Sequence, residues 1–302
     1  MFLKNKKYIL DGGAGQTLLE MGLKPKGTLW SGTALIDKKL HNLVFEMHMN
    51  FINAGADMIV TSNFSIRKKR LIEHNNLDFF ESATEYAGIL AKKARETSSK
   101  KVLIAGSLPT QGTVYLSDLF LSDKEIYQGF YEAAKILDPY VDLFYLDVLC
   151  SVKEIRIACD AIKFLGKPVL IGVHLNTNGR LPSGEEINNI IPEIKSFNCC
   201  GIITACVSPE IVQIALPELS KQSLPYGFKI NAFKNIPENK VNTYEKLYSG
   251  YPTDVFGTRK DEITPEVFSK IVNFASNKGA TLLGGCCEIK PRHIEAVRKI
   301  IK

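Results

Sequence analysis

Short apolar or β-branched runs recur along the chain, each followed by a longer stretch in which apolar residues return every three or four positions. The runs predict eight strands, over Tyr8 to Asp11, Asp57 to Ser62, Val102 to Gly106, Leu143 to Asp147, Val169 to His174, Gly201 to Ala205, Gly227 to Ala232, and Thr281 to Gly284. Most are continuously apolar, as parallel strands covered on both faces must be. Helix starts are marked by Ser122-Asp123 before the run to Leu137, Ser208-Pro209 before Ile211 to Leu219, and Thr264-Pro265 before Val267 to Ala275. Asp37 to Asn53 and Phe79 to Arg95 carry one apolar face at helical spacing, with Lys, Glu and Asn opposite. No linker, composition shift or low-complexity segment divides the chain. The pattern therefore predicts an α/β protein with a single (β/α)8 TIM barrel spanning residues 1–302, rather than a doubly wound sheet with a second domain. The longest irregular piece, Lys234 to Ile263, follows the seventh strand and is expected to loop over the barrel mouth.

Composition narrows the class. With 302 residues, 45% hydrophobic and 23% charged, the chain has ordinary globular proportions, which excludes disordered, collagen-like and coiled-coil proteins. The net charge of +6 is scattered in short groups such as Arg67-Lys68-Lys69-Arg70, so no nucleic-acid partner is expected. No apolar run reaches the roughly 18 residues that span a bilayer, and Met1 to Leu10 lacks a signal peptide's apolar stretch. The expectation is a cytoplasmic protein with no membrane partner. Seven cysteines, two pairs of them vicinal, suit reduced thiols better than disulfides. No glycine-rich phosphate or dinucleotide fingerprint is present, so no nucleotide cofactor is expected.

In parallel barrels the chemistry sits at the carboxyl ends of the strands. There this chain places Asp11 with Gly12 and Gly13, Asn63, Ser107, Asp147, His174 with Asn176, Cys206, Asn231, and Gly284-Gly285-Cys286-Cys287. Cys206 follows the sixth strand and Cys286 and Cys287 the eighth, two strands away, roughly 9 to 10 Å. Side chains leaning inward from there could meet on one ion, since Zn–S bonds are about 2.3 Å. Cys286 and Cys287 could share it only beyond the strand's end, where Gly284 and Gly285 would free the backbone. Three thiolates leave the fourth tetrahedral position of a zinc open, the pattern of a catalytic site, and a coordinated thiol is deprotonated. The alternative is that these cysteines simply pack, as buried cysteines often do. Cys199 and Cys200, before the sixth strand, read as structural, and Cys150 and Cys159 as packing. Asp147 ends an apolar strand and so requires a partner or a polar cavity. With Asp11 it could bind an ammonium group, although Asp11 also suits a turn cap. His174 reads as a hydrogen-bonded mouth residue, and Ser183-Gly184-Glu185 as a helix cap.

The order of several motifs carries a resemblance that runs nearly end to end. They are Leu10-Asp11-Gly12-Gly13, Leu29-Trp30-Ser31, Ala54-Gly55-Ala56-Asp57 leading to Thr61-Ser62-Asn63-Phe64, and Ala105-Gly106-Ser107-Leu108-Pro109. Leu181-Pro182-Ser183-Gly184-Glu185, Cys206 before Ser208-Pro209-Glu210, Asn231-Ala232-Phe233, and Gly284-Gly285-Cys286-Cys287 before Pro291-Arg292-His293-Ile294 continue it. In these the chain resembles the zinc-dependent homocysteine S-methyltransferases, the group that includes methylmethionine- and betaine-using enzymes. The resemblance implies one Zn2+ per chain on Cys206, Cys286 and Cys287, Asp11 on the homocysteine amino group, and Asn231 lining the pocket. Asn63, Ser107 and Asp147 complete the expected substrate-binding set. It further implies a methyltransferase making methionine, in which a zinc-held substrate thiolate attacks a methyl group on a positively charged sulfur or nitrogen. The partners expected are small molecules, homocysteine and the methyl donor, and the resemblance fits a monomer or a homo-oligomer.

Three positions depart from the family pattern: Asp147-Val148 for the usual Glu-Thr, Ala205 for Asn before the first zinc cysteine, and Gly15-Gln16 for Gly-Thr. They bear on substrate identity more than on zinc, so a different thiol or selenol acceptor stays open. The chain ends at Lys302, without the C-terminal extension of betaine-type members or the folate and cobalamin modules of long methionine synthases. That favours S-methylmethionine or a related sulfonium over betaine. The remaining alternative is a zinc- or thiol-binding barrel without transfer activity.

Overall fold

A computed structural model describes residues 2–4, 6–117, 120–235 and 249–301. Eight parallel strands follow one another around a barrel: β1 (Tyr8–Ile9), β2 (Met58–Val60), β3 (Leu103–Pro109), β4 (Leu143–Leu149), β5 (Val169–Val173), β6 (Cys199–Val207), β7 (Tyr226–Ile230) and β8 (Leu282–Gly285). Hydrogen-bonded pairing runs in sequence from β2 to β8 and then to β1. The ring is closed by a parallel bridge between Leu10 and Met58, flanked by the Asp57 N–H to Ile9 carbonyl and Asp11 N–H to Met58 carbonyl bonds. The eight apolar runs thus become the eight strands, and the single-barrel expectation holds.

One apolar cluster fills the space between the sheet and the helices around it, with Phe51, Phe130, Phe144, Phe228 and Phe268 among its members. A second fills the barrel itself, with Leu3, Leu10, Met58, Leu143, Tyr145, Leu170, Ile203 and Leu282, and reaches Tyr115, Cys206, Phe233, Phe256 and Cys287 at the mouth. The helix starts fall where the sequence marks them. Ser122 and Glu125 form a reciprocal capping box on Asp123–Leu137, and Thr264 caps Pro265–Asn277. No described helix is long and apolar enough to cross a membrane.

Several strands run further than the sequence indicates. Ser107 lies within β3, Cys199 and Cys200 open β6 instead of preceding it, and Cys206 lies inside β6. Two register irregularities explain why the polar pattern misleads. Between Leu146 and Leu149 β4 slips, with Val148 at a φ of 62°, and between Ala205 and Val207 β6 slips, with Cys206 at a φ of 56°. Left-handed non-glycine residues are rare in strands and are strained. Both irregularities sit at the carboxyl-terminal side of the barrel.

Gly284 and Gly285 also work differently from the expectation. Neither has a positive φ. Their missing side chains instead let neighbours approach, since a Cβ on Gly284 would lie 2.6 Å from the Leu10 Cβ and one on Gly285 2.2 Å from an Ile289 side-chain carbon. The left-handed residue of this turn is Glu288, at 67°. Of the irregular piece after β7, residues 236–248 lie outside the described residues. Its later part forms a short helix, Pro252–Phe256, that brings Phe256 to the mouth.

Candidate active site

The carboxyl ends of β1, β2, β4, β6, β7 and β8 surround a pocket with about 750 Å³ of empty space, part of it open to solvent. Three sulfur atoms converge on one wall. Those of Cys206, Cys286 and Cys287 all lie within 4.8 Å of one another. The turn after β8 makes this possible: the Cys286 N–H donates to the Ile230 carbonyl, and the Ile289 N–H closes back on the Cys286 carbonyl. Adjacent cysteines therefore point to one place because the strand has already ended.

Cys206 is anchored from several sides. The Asn231 side-chain amide donates to its carbonyl at 2.7 Å, the Tyr115 hydroxyl lies 3.3 Å from its sulfur, and the His174 ring contacts the Ala205 carbonyl at 3.3 Å. Burial opposes ionisation of its thiol, yet the Cys286 and Cys287 thiols and the Tyr115 hydroxyl together hold it well below the ordinary cysteine value. Interaction with Cys206 pushes the other two thiols up. All seven cysteines are free thiols.

Sulfurs on a tetrahedral zinc are about 3.8 Å apart, from a Zn–S bond of about 2.3 Å. The trio therefore fits such an ion with adjustments on the order of 1 Å, and its all-sulfur donor set is one that zinc prefers. No other group of three metal-ligating side chains is found among the described residues.

Three charged groups share the pocket with the sulfurs. Asp11 is buried, and the Lys229 ammonium donates to its Oδ1 at 2.9 Å while the Val60 N–H donates to Oδ2 at 2.7 Å. Burial works against the Lys229 charge, but the carboxylates of Asp11 and Asp147 outweigh it and hold the ammonium above its usual value. Asp147 accepts from the Ser107 hydroxyl at 2.8 Å. Burial pushes its carboxyl up to about 6, against the pull of Lys229 and Ser107. Part of the remaining wall is aromatic: Tyr115, Phe233 and Phe256, with ring centroids 5.1 Å apart for Phe233 and Phe256 and 6.0 Å for Tyr115 and Phe256.

Of the residues singled out in the sequence, the three cysteines, Asp11 and Asp147 line the pocket directly. Asn63, Ser107 and Asn231 lie one layer behind it. Asn63 accepts from the Thr61 hydroxyl and donates to the Ser107 carbonyl, Ser107 holds Asp147, and Asn231 holds Cys206. His174 is a hydrogen-bonded mouth residue, its ring 4.7 Å from that of Tyr115. Glu185 accepts from the Val152 N–H at the start of Val152–Ile162, while Glu186 takes the capping position before Ile187.

Sequence reasoning missed Lys229, Tyr115 and Gln16. Lys229 carried a readable signal, a charge inside an otherwise apolar strand, which is the argument that drew attention to Asp147. Tyr115 carried none, because the loop bearing it has no periodicity. Gln16 lines the pocket, and its side-chain amide faces the Cys287 thiol.

Fold and site together define a parallel barrel enzyme with a three-thiol centre at its mouth. The homocysteine S-methyltransferase family model matches residues 8–301, and the chain belongs to that family. It is 24% identical to homocysteine S-methyltransferase 1 of Brassica oleracea var. italica, over 97% of this chain and 93% of the relative. It is 22% identical to homocysteine S-methyltransferase 2 of Saccharomyces cerevisiae, over 98% and 94%. Its fold is shared with the metallated form of the homocysteine methyltransferase MmuM from Escherichia coli, with a TM-score of 0.78 at 19% identity, covering 98% of this chain and 96% of that one.

Proposed function

We propose that this protein is a zinc-dependent methyltransferase that moves a methyl group from a sulfonium donor of the S-methylmethionine type to the sulfur of homocysteine, giving methionine. The observation that carries the reading is the convergence of the Cys206, Cys286 and Cys287 sulfurs within 4.8 Å at the mouth of a barrel of this family. The metallated state of the MmuM structure and the names of the plant and yeast relatives support it.

Cys206, Cys286 and Cys287 would hold the zinc, one ion per chain. When bound, it supplies the positive charge that keeps an acceptor thiol deprotonated at neutral pH. Asp147 receives the acceptor's ammonium and fixes the distance from that group to the sulfur. Tyr115, Phe233 and Phe256 would exclude water around the donor methyl, and aromatic rings attract cations, which suits an onium donor. In the transfer, a lone pair on the acceptor sulfur forms the new bond to carbon as the bond from that carbon to the donor sulfur breaks. The donor departs as a neutral thioether, so no proton moves in this step. Placement is then the main task of the protein, because the leaving group is already good. Free thiols in every cysteine fit work in the reducing cytoplasm.

The test is methyl transfer from carbon-13-labelled donors to homocysteine by zinc-loaded protein, followed by NMR. Labelled methionine from S-methylmethionine, with little or none from betaine, is the expected result. Transfer from betaine alone would replace the donor, and transfer to homocysteine from neither donor would contradict the proposal.

A further inference from the structure

We infer that Lys229 is the carboxylate-binding residue of the acceptor site, so that the protein selects thiols bearing an acid group; this rests on the thiol-acceptor reading above. Lys229 is 6% exposed, sits on β7 between the strands that bear Cys206 and the Cys286–Cys287 turn, and lines the same pocket as the three sulfurs. An ammonium offers three hydrogen-bond donors. One goes to Asp11, and no other acceptor takes a hydrogen bond from Lys229 among the described residues. The Asp147 carboxylate acts on this charge without taking a hydrogen bond from it, so two donors on a buried cation remain for an acceptor that a ligand can supply.

The arrangement also reassigns the two carboxylates. Both oxygens of Asp11 already accept, one from Lys229 and one from the Val60 N–H. A substrate ammonium at the remaining lone pairs of Asp11 would stand beside the Lys229 ammonium, a like charge in a buried site. Asp147 is less buried and accepts from Ser107 through one oxygen. A zwitterionic thiol therefore fits with its sulfur toward the cysteines, its ammonium on Asp147 and its carboxylate on Lys229. Asp11 is then a positioning residue, which keeps Lys229 charged and aimed.

Calorimetry of three thiols on zinc-loaded protein tests this without turnover: homocysteine, 4-mercaptobutanoate, which lacks the amine, and 3-aminopropane-1-thiol, which lacks the acid. The wild type should bind homocysteine at least about tenfold more tightly than 3-aminopropane-1-thiol, the effect of one charge-assisted hydrogen bond. The charge-neutral double variant Asp11→Asn with Lys229→Met should lose that preference to within about twofold and lose 4-mercaptobutanoate binding, while 3-aminopropane-1-thiol binds as before. A double variant that keeps the preference would overturn the inference. So would equal binding of homocysteine and 3-aminopropane-1-thiol by the wild type, a result that needs no variant to fold. Binding of none of the three by the wild type would instead bring down the thiol-acceptor reading, and Lys229's role with it.

Discussion

Cys206 owes its position to its own strained backbone and to the groups that grip it, Asn231 on the carbonyl and Tyr115 on the sulfur. Changes to outer-shell partners of a metal commonly cost ten- to a hundredfold in affinity, so removing a ligand should cost more than about a hundredfold. Cys206→Ala should therefore leave dialysed, reduced protein almost free of zinc by elemental analysis. Cys199→Ala, at the opposite end of the same strand, should retain the wild-type content. Asp147 provides a pH signature. Its carboxyl titrates near 6, so it is charged at neutral pH and neutral below that value. KM for homocysteine should rise as pH falls from 7 toward 5. Asp147→Asn should make this dependence shallower, leaving the part due to the proton released when the thiol binds as a thiolate, and raise KM at pH 7 about ten- to a hundredfold, from a charged hydrogen bond of about 1.5–3 kcal/mol. The Asp11–Lys229 pair is a different case, because one buried partner without the other is a stranded charge. Asp11→Asn alone should destabilise by about 3–5 kcal/mol in urea unfolding, and the double variant with Lys229→Met by much less.

At the level of elements, the loop from Thr110 to Tyr115 is fastened by two buried charged side chains. Glu154, from Val152–Ile162, accepts from the Thr110 hydroxyl and the Gln111 N–H, and Arg67 donates to the Thr110 and Gly112 carbonyls. These bonds hold Tyr115 over Cys206. Glu154→Ala should free the loop at a cost of about 1–3 kcal/mol, seen as new protease cleavage between residues 110 and 117, with zinc content unchanged. The strands and helix starts were legible because continuous apolar runs and Ser-Asp, Ser-Pro and Thr-Pro caps are local signals. The three cysteines were legible because strand counting alone puts Cys206 two strands from Cys286 and Cys287. The kinks at Val148 and Cys206 were not, because a positive φ in a non-glycine residue is imposed by packing and leaves no composition signal. The Lys229–Asp11 pair was hidden by separation, since the partners are 218 positions apart and only barrel closure brings them together.

For the molecule as a whole, the apolar cluster between sheet and helices is distinct from the mouth, whereas the barrel core reaches Cys206 and Cys287, so loss of the metal is predicted to loosen the mouth and leave the fold in place. Chelation should leave the far-ultraviolet circular dichroism unchanged and lower the melting temperature by about 2–4 °C for each kcal/mol of binding energy lost. The family match spans residues 8–301, which include all eight strands and every residue of the candidate site. The central claim is that three thiolates of this chain hold a zinc ion whose remaining position accepts a substrate thiol. X-ray absorption at the zinc edge of loaded protein, with and without homocysteine, measures this directly. The account predicts about three sulfur neighbours near 2.3 Å, rising to about four when homocysteine is added. Fewer than three sulfurs in the free protein, or a sulfur count unchanged by homocysteine, would contradict it.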